Sequence, residues 1–223
     1  MPFILAGRSG SAARGGLARG GGIIQAMKTA LVVVGVIVLV LVLGIGWGIG
    51  VNNELVRSEQ LVNEKWAQVQ NVYQRRADLI PNLVETVKGF AAQERTVLNE
   101  VVSARARASS IQLPPQALND PAALRQFQAA QNELGGALSR LLVTVERYPE
   151  LRSNQNFLEL QSQLEGTENR IAVERRRFNE SVRAYNTRVR LFPGSIVAGM
   201  AGYQQKAFFE AIPDAATPPK VKF

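Results

Sequence analysis

A chain of 223 residues, 46% hydrophobic and 20% charged, has the length for one folded domain plus an added segment rather than two large domains. It contains no cysteine and no histidine, which excludes disulfides, thiolate zinc sites, cysteine nucleophiles, imidazole chemistry and the Glu-x-x-His ligand sets of di-iron bundles. Half of the net charge of +8 lies in Arg8, Arg14, Arg19 and Lys28, so the rest is only mildly basic and lacks the basic, aromatic-interleaved face of a nucleic-acid binder.

Residues 1–28 are rich in Gly, Ala and Arg and carry little that packs, so they are expected to form a basic disordered tail, with Met27 as an alternative start. Residues 29–51 follow as a transmembrane helix. From Ala30 through Val40 and Trp47 to Val51 no residue is charged, and at about 1.5 Å per residue the run spans the roughly 30 Å hydrocarbon core. The backbone in lipid must satisfy its own hydrogen bonds, which selects a helix. Trp47 suits the interface at the outer end, and the Gly44-x-x-x-Gly48 spacing is one through which two anchors approach closely. The acid-free basic flank predicts a single-pass protein of the cell (inner) membrane, with its N-terminus cytoplasmic and the rest extracytoplasmic.

Residues 52–192 show apolar positions every three or four residues. The stripes are Leu55, Val62, Trp66, Val69, Tyr73, Ile80; then Leu83, Val87, Phe90, Val97, Val101; then Leu124 to Tyr148; then Phe157 to Phe192. That spacing is helical and argues against strands. Pro81 predicts a turn over 79–82 between two helices of about 28 residues, each roughly 42 Å long. Residues 109–121 form a loop with three prolines, Pro121 starts a third helix, Pro149 ends it, and a fourth runs from near Asn154 to Phe192. The fold class is therefore all-α: a transmembrane helix, an antiparallel up-and-down four-helix bundle, and an irregular C-terminal tail over 193–223.

Two stretches carry a family resemblance. The run Trp66-Ala-Gln-Val-Gln-Asn-Val-Tyr-Gln-Arg-Arg-Ala-Asp-Leu-Ile-Pro-Asn-Leu-Val-Glu-Thr-Val-Lys-Gly-Phe90 resembles the LemA family. So do Leu164-Glu-Gly-Thr-Glu-Asn-Arg-Ile-Ala172, the pairs Phe178-Asn179 and Tyr185-Asn186, and the Phe192-Pro193 that follows. The resemblance implies a short N-terminal tail, one anchor and a four-helix bundle with a poorly defined biochemical role. The first 26 residues depart from that pattern.

Three constellations stand out. Gln74, Arg75, Arg76 and Asp78, with Asn82, form a polar cluster near the expected turn, where Asp78 and an arginine would pair across it. Asn179 and Asn186, seven apart and hence on one helix face, join Glu94 and Glu168 as a candidate buried polar seam that fixes bundle register. Tyr203, Phe208 and Phe209 either pack back on the bundle or offer a partner surface. No catalytic residue, metal site or cofactor site emerges, and an enzyme is not expected. The expected function is that of a membrane-anchored scaffold or accessory subunit of an envelope complex, with the lipid bilayer and one or more membrane or envelope proteins as partners. The alternative is an anionic-lipid or membrane-surface module using the basic fourth helix.

Overall fold

The computed structural model describes residues 18–210, with side chains from residue 25 onward. The chain divides into two units, Met1–Gly50 and Val51–Phe223. In the first, the described residues belong to helix α1, which spans Ala18–Phe90. Its most apolar 18-residue stretch has a mean hydropathy of 3.0 and none of it is buried, and the helix is long and apolar enough to cross a membrane. Residues 1–17 of the expected disordered tail lie outside the described residues. Residues 18–28 are helical rather than disordered, because an already nucleated helix gains a hydrogen bond with each residue added, here through Ile23, Ile24 and Ala26.

In the second unit, the remainder of α1 packs with α2 (Arg95–Ser110), α3 (Pro121–Val145) and α5 (Gln155–Arg190). A 3-10 turn, Pro115–Asn119, and the short helix α4, Pro149–Arg152, lie in the connections, and α6, Gly194–Ala201, follows α5. Every long helix runs against its neighbour. Glu54, Trp66 and Arg76 on α1 meet Arg188, Phe178 and Glu168 on α5, numbers rising on one and falling on the other. On α2 and α3 the ion pairs Glu100–Arg140 and Arg107–Glu133 do the same. Among the described residues the unit is all-α, an up-and-down bundle. Asp120 caps α3 by accepting from the Ala122 N–H at 2.8 Å, and Asn154 caps α5 through the Phe157 N–H at 3.1 Å.

The expected turn at Pro81 is absent. Pro81 lies inside α1, and the reversal comes instead at residues 91–94. A proline in a helix interior leaves the carbonyl four residues earlier without its donor. Here that carbonyl belongs to Ala77, and the Arg105 Nε–H on α2 donates to it at 2.7 Å. A side chain from the neighbouring helix thus supplies the bond the proline lacks, and α1 continues for more than two further turns.

The core has two parts. The part distal to residue 51 is made by all the long helices, with Ile80, Leu83, Val87, Leu98, Val101, Leu134, Leu141, Leu151, Phe157 and Leu164. In the part nearer residue 51, Trp66, Phe127, Phe178, Val182 and Tyr185 are joined by Leu113 and Leu118 of the α2–α3 connection and by Ala207 and Phe209 of the tail. The tail is thus not wholly irregular: Gly194–Ala201 is a helix, ended by Gly202 in the left-handed region at φ 78°, and residues 203–210 run on without helix or strand. Residues 211–223 lie outside the described residues.

Replacing the Arg105 donor is expected to cost about 1.5–3 kcal/mol, the range for a hydrogen bond from a charged group. Arg105→Met should lower the Tm of the anchorless bundle by several degrees, whereas in a Pro81→Ala background it should lower it far less, because the restored N–H serves the Ala77 carbonyl. A thermal-melt double-mutant cycle followed by circular dichroism measures the coupling.

Candidate functional site

The polar cluster anticipated around Pro81 separates on folding. Because that stretch is helical, its side chains fan out around α1. Gln74 donates to Asp78 at 2.7 Å on the exposed face, so Asp78 pairs along its own helix rather than with an arginine across a turn. Arg75 and Asn82 are also exposed. Arg76 alone turns inward and is 3% exposed. Its Nη1 donates to Glu168 at 2.8 Å and its Nη2 to the Gln131 side-chain oxygen at 2.6 Å, with the guanidinium over the Tyr73 ring at 5.1 Å. The Arg76 Nε is buried without a hydrogen-bond partner among the described residues.

Arg76 forms the floor of an opening between α3 and α5, a cavity of about 660 Å³ whose wall includes Gly135, Gly136, Ser139, Glu165, Glu168 and Arg175. Two consecutive glycines on α3, Gly135 and Gly136, line the opening and put no side chain into it. Burial raises the Tyr73 phenol above its ordinary range, against the opposing pull of the Arg175 and Arg76 guanidiniums. Charges of both signs around a half-open space suit a polar segment that brings both donors and acceptors.

The four residues of the anticipated seam also go to separate places. Glu94 stands at the start of α2, where it accepts from the Tyr148 hydroxyl at 2.7 Å and from Arg147 at 3.0 Å. Glu168 lies at the rim of the α3–α5 opening, its side chain 44% exposed. Glu94, 20% exposed, is engaged at the distal end with Tyr148 and Arg147, and Glu168 is nearly half exposed, so neither joins Asn179 and Asn186 in one buried seam. Asn179 and Asn186 do share a face of α5, and both address the tail.

There the side-chain amides grip main chain. Asn186 donates to the Lys206 carbonyl at 2.9 Å and accepts from the Lys206 N–H at 2.9 Å. Asn179 does the same with Phe209, at 3.0 and 2.9 Å. Gln128 on α3 repeats the pattern at Glu210, at 2.9 and 3.3 Å. The Ala207 N–H donates to the Leu118 carbonyl at 2.8 Å, and the Tyr185 hydroxyl donates to the Gln204 carbonyl at 3.0 Å. A carboxamide carries one acceptor and two donors on a planar group, so it matches the N–H and C=O of one residue. Residues 203–210 therefore lie in a groove that reads extended backbone.

Side chains complete the fit. Phe209 enters the aromatic cluster 5.5 Å from Phe178 and 6.0 Å from Trp66, with the Arg175 guanidinium 4.6 Å over its ring. It is therefore not a free partner surface: an apolar ring this close to an aromatic core is driven out of water. Lys206 is buried and reaches Glu59 at 2.8 Å. Tyr203 is half-buried and its hydroxyl lies 3.3 Å from the Asn52 side chain, so of the three aromatics Phe208 is the exposed one. Gln128, Glu59 and Lys206 were not singled out from sequence, and isolated residues at these positions give no periodic signal. The seven-residue spacing of Asn179 and Asn186 was the available clue.

Comparison with known proteins agrees with this architecture. The profile of the LemA family matches residues 65–223. Magnetosome protein MamQ of Magnetospirillum gryphiswaldense is 28% identical, over 74% of this chain and 67% of its own. Magnetosome protein MamQ 2 of Paramagnetospirillum magneticum is 25% identical over the same shares. Protein LemA of Metamycoplasma hominis is 21% identical, over 73% of this chain and 70% of its own.

Asn186→Ala strands a buried N–H and a buried C=O at Lys206, at about 1–3 kcal/mol for each group. Amide exchange at Lys206, Ala207 and Phe209 should accelerate while the distal helices keep their protection, as read by hydrogen–deuterium exchange. A second expectation concerns Tyr185, whose phenol is pushed up to about 12, first by burial, then by the Glu59 carboxylate and Tyr203. Unfolded tyrosine titrates near about 10, so the stabilisation is whole below that pH and is lost as pH climbs toward the folded value. Between about pH 10 and about 12 the melting temperature should fall more steeply for the native bundle than for Tyr185→Phe.

Proposed function

The chain belongs to the LemA family, and on that premise we propose that it is a non-enzymatic, single-pass scaffold or accessory subunit of an envelope complex in the cell (inner) membrane. Its N-terminus is cytoplasmic and its bundle extracytoplasmic, and it captures a membrane or envelope protein. The observation that carries the reading is the wholly unburied apolar stretch of α1, joined to a bundle whose helices are cross-linked by inter-helical ion pairs. An anchored body meets neighbouring membrane proteins at a raised effective concentration, so modest contacts suffice. Two relatives are named as magnetosome proteins, which supports a place within a larger assembly rather than a solitary role.

With Phe209 consumed by the core, the working surface is the α3–α5 opening. Arg76, Glu165, Glu168 and Arg175 there offer fixed charges of both signs to a polar segment of the partner. The alternative, a lipid module on the basic face of α5, has less support. Arg175, Arg177 and Arg188 are engaged with Phe209, Glu174 and Glu54 within the chain.

A photo-cross-linking residue placed at Ser139 or Asn169, on the opening, should give a defined protein adduct in intact cells. The same residue at Glu150, outside it, should not, and the full chain should stay in membranes after an alkaline carbonate wash. Equal adducts from all three positions would remove the opening as the contact, and release by carbonate would remove the anchor.

A further inference from the structure

Outside the apolar stretch of α1, the large hydrophobic side chains left exposed among the described residues are mostly scattered: Val102, Val143 and Leu158 lie apart on different helices. Scattered exposure of this kind is ordinary. One ten-residue interval differs. Leu191 is 61% exposed, Ile196 53% and Met200 85%. Ile196 and Met200 are four apart on α6 and so share a face, and α6 contains no charged residue. Contiguous exposed apolar surface on a folded domain marks an interaction site.

The place of this patch in the fold says what covers it. α6 is seated firmly on the end of α5: Gly194 comes so close to the Arg188 carbonyl that an added Cβ would lie 2.1 Å from it. That same end of the bundle holds the start of the second unit. Arg188 pairs with Glu54 at 2.8 Å and bonds Ser58, and Tyr203, just after α6, reaches Asn52 at 3.3 Å. Asn52 is the first polar residue after the apolar run, one peptide bond beyond Val51. Whatever direction the anchor takes, covalent connection keeps this end of the bundle within a few residues of the bilayer surface. Exposed Arg190 immediately precedes Leu191, and exposed Arg57 lies 3.9 Å from Glu54, the partner of Arg188, so both cations belong to this end of the bundle, as cations do beside anionic head groups.

We infer that α6 and Leu191 form a second membrane contact, an uncharged apolar face that lies in the interfacial layer of the bilayer. Ile196 and Met200 enter the head-group and acyl boundary, and Arg57 and Arg190 remain at the phosphate level. The inference rests on the anchored reading above and adds that the bundle's membrane-proximal end is docked on lipid. The ligand is the lipid interface rather than a protein groove, because nothing in the patch offers hydrogen-bonding specificity beyond Ser195.

The absence of native cysteine makes the test direct. The full chain is reconstituted in vesicles of phosphatidylcholine and phosphatidylglycerol, with one environment-sensitive fluorophore on Met200→Cys, Val143→Cys or Val40→Cys. Val143 lies near the α3 end that turns into Tyr148 and Glu94, about 50 Å or more along the bundle from Asn52. The Met200 label should lose fluorescence to lipids spin-labelled near the head group, the Val143 label should not, and the Val40 label should respond to deep spin labels. Adding Ile196→Asp should restore the Met200 signal. If the Met200 label behaves like the Val143 label while Val40 is quenched, the second contact is overturned and the anchor stands. If Val40 is not quenched, the anchor falls and the second contact with it.

Discussion

A buried extended backbone must find partners for its own N–H and C=O groups, and the bundle is organised around meeting that requirement at one end. The portion of α1 beyond residue 50 and the 36 residues of α5 are about 55–60 Å long. With 16 residues, α2 extends only about 24 Å, and with 25, α3 extends about 38 Å. Near residue 51 the two long helices therefore lack two neighbours. The space is filled by the α2–α3 connection, where the Pro115–Asn119 turn bonds to itself and the rest does not, and by residues 203–210, which have no helical bonds of their own. Asn179, Asn186 and Gln128 supply the missing partners from the flanking helices, and the Trp66 indole N–H takes the Leu113 carbonyl at 2.9 Å in the same way. Once those bonds are made, Phe209 completes the aromatic cluster and the proximal core closes.

The helical stripes were legible because burial on one side of a helix imposes a period on the sequence, and Trp66, Leu124 and Phe178 all fall where that period puts them. Proline 81 misled for a definite reason. Local rules evaluate a proline against its own helix, whereas the compensating donor, Arg105, comes from a different helix, 28 residues along the chain from the Ala77 carbonyl it serves. Arg105 is marked in the sequence as a charge that interrupts an apolar seam, but nothing local says that the group it serves is the Ala77 carbonyl. The reversal at 91–94 is similarly quiet, since it uses no proline and turns on backbone bonds such as Glu94 N–H to Ala91 at 3.0 Å.

The site residues were legible to the extent that they depend on helix face. Asn179 and Asn186 share one because they are seven apart. Arg75, Arg76 and Asp78 were grouped by closeness in sequence, and a helix disperses such neighbours around its circumference, leaving Asp78 to pair with Gln74 four residues before it. Arg76 is buried because it falls on the apolar stripe itself, three residues after Tyr73 and four before Ile80, and its long side chain reaches Gln131 and Glu168. The partners of the tail were illegible for a topological reason: residues 206–210 meet residues 59, 128 and 179, and no local pattern encodes a return over such separations.

The carboxamide clamps fall on main-chain atoms that every amino acid except proline presents alike, which divides the evolutionary burden unevenly. At positions 128, 179 and 186 the bonding calls for a side chain that donates and accepts from one planar group, as a carboxamide does. Of the segment received, only Lys206 and Phe209 are chosen for large buried side chains. Gln205 and Phe208 are exposed, and the exposed Gln204 side chain accepts only one long bond, from Asn119 at 3.4 Å. A lineage can thus rewrite the outward face of its tail, and with it whatever that face presents, without loosening the fold that carries it.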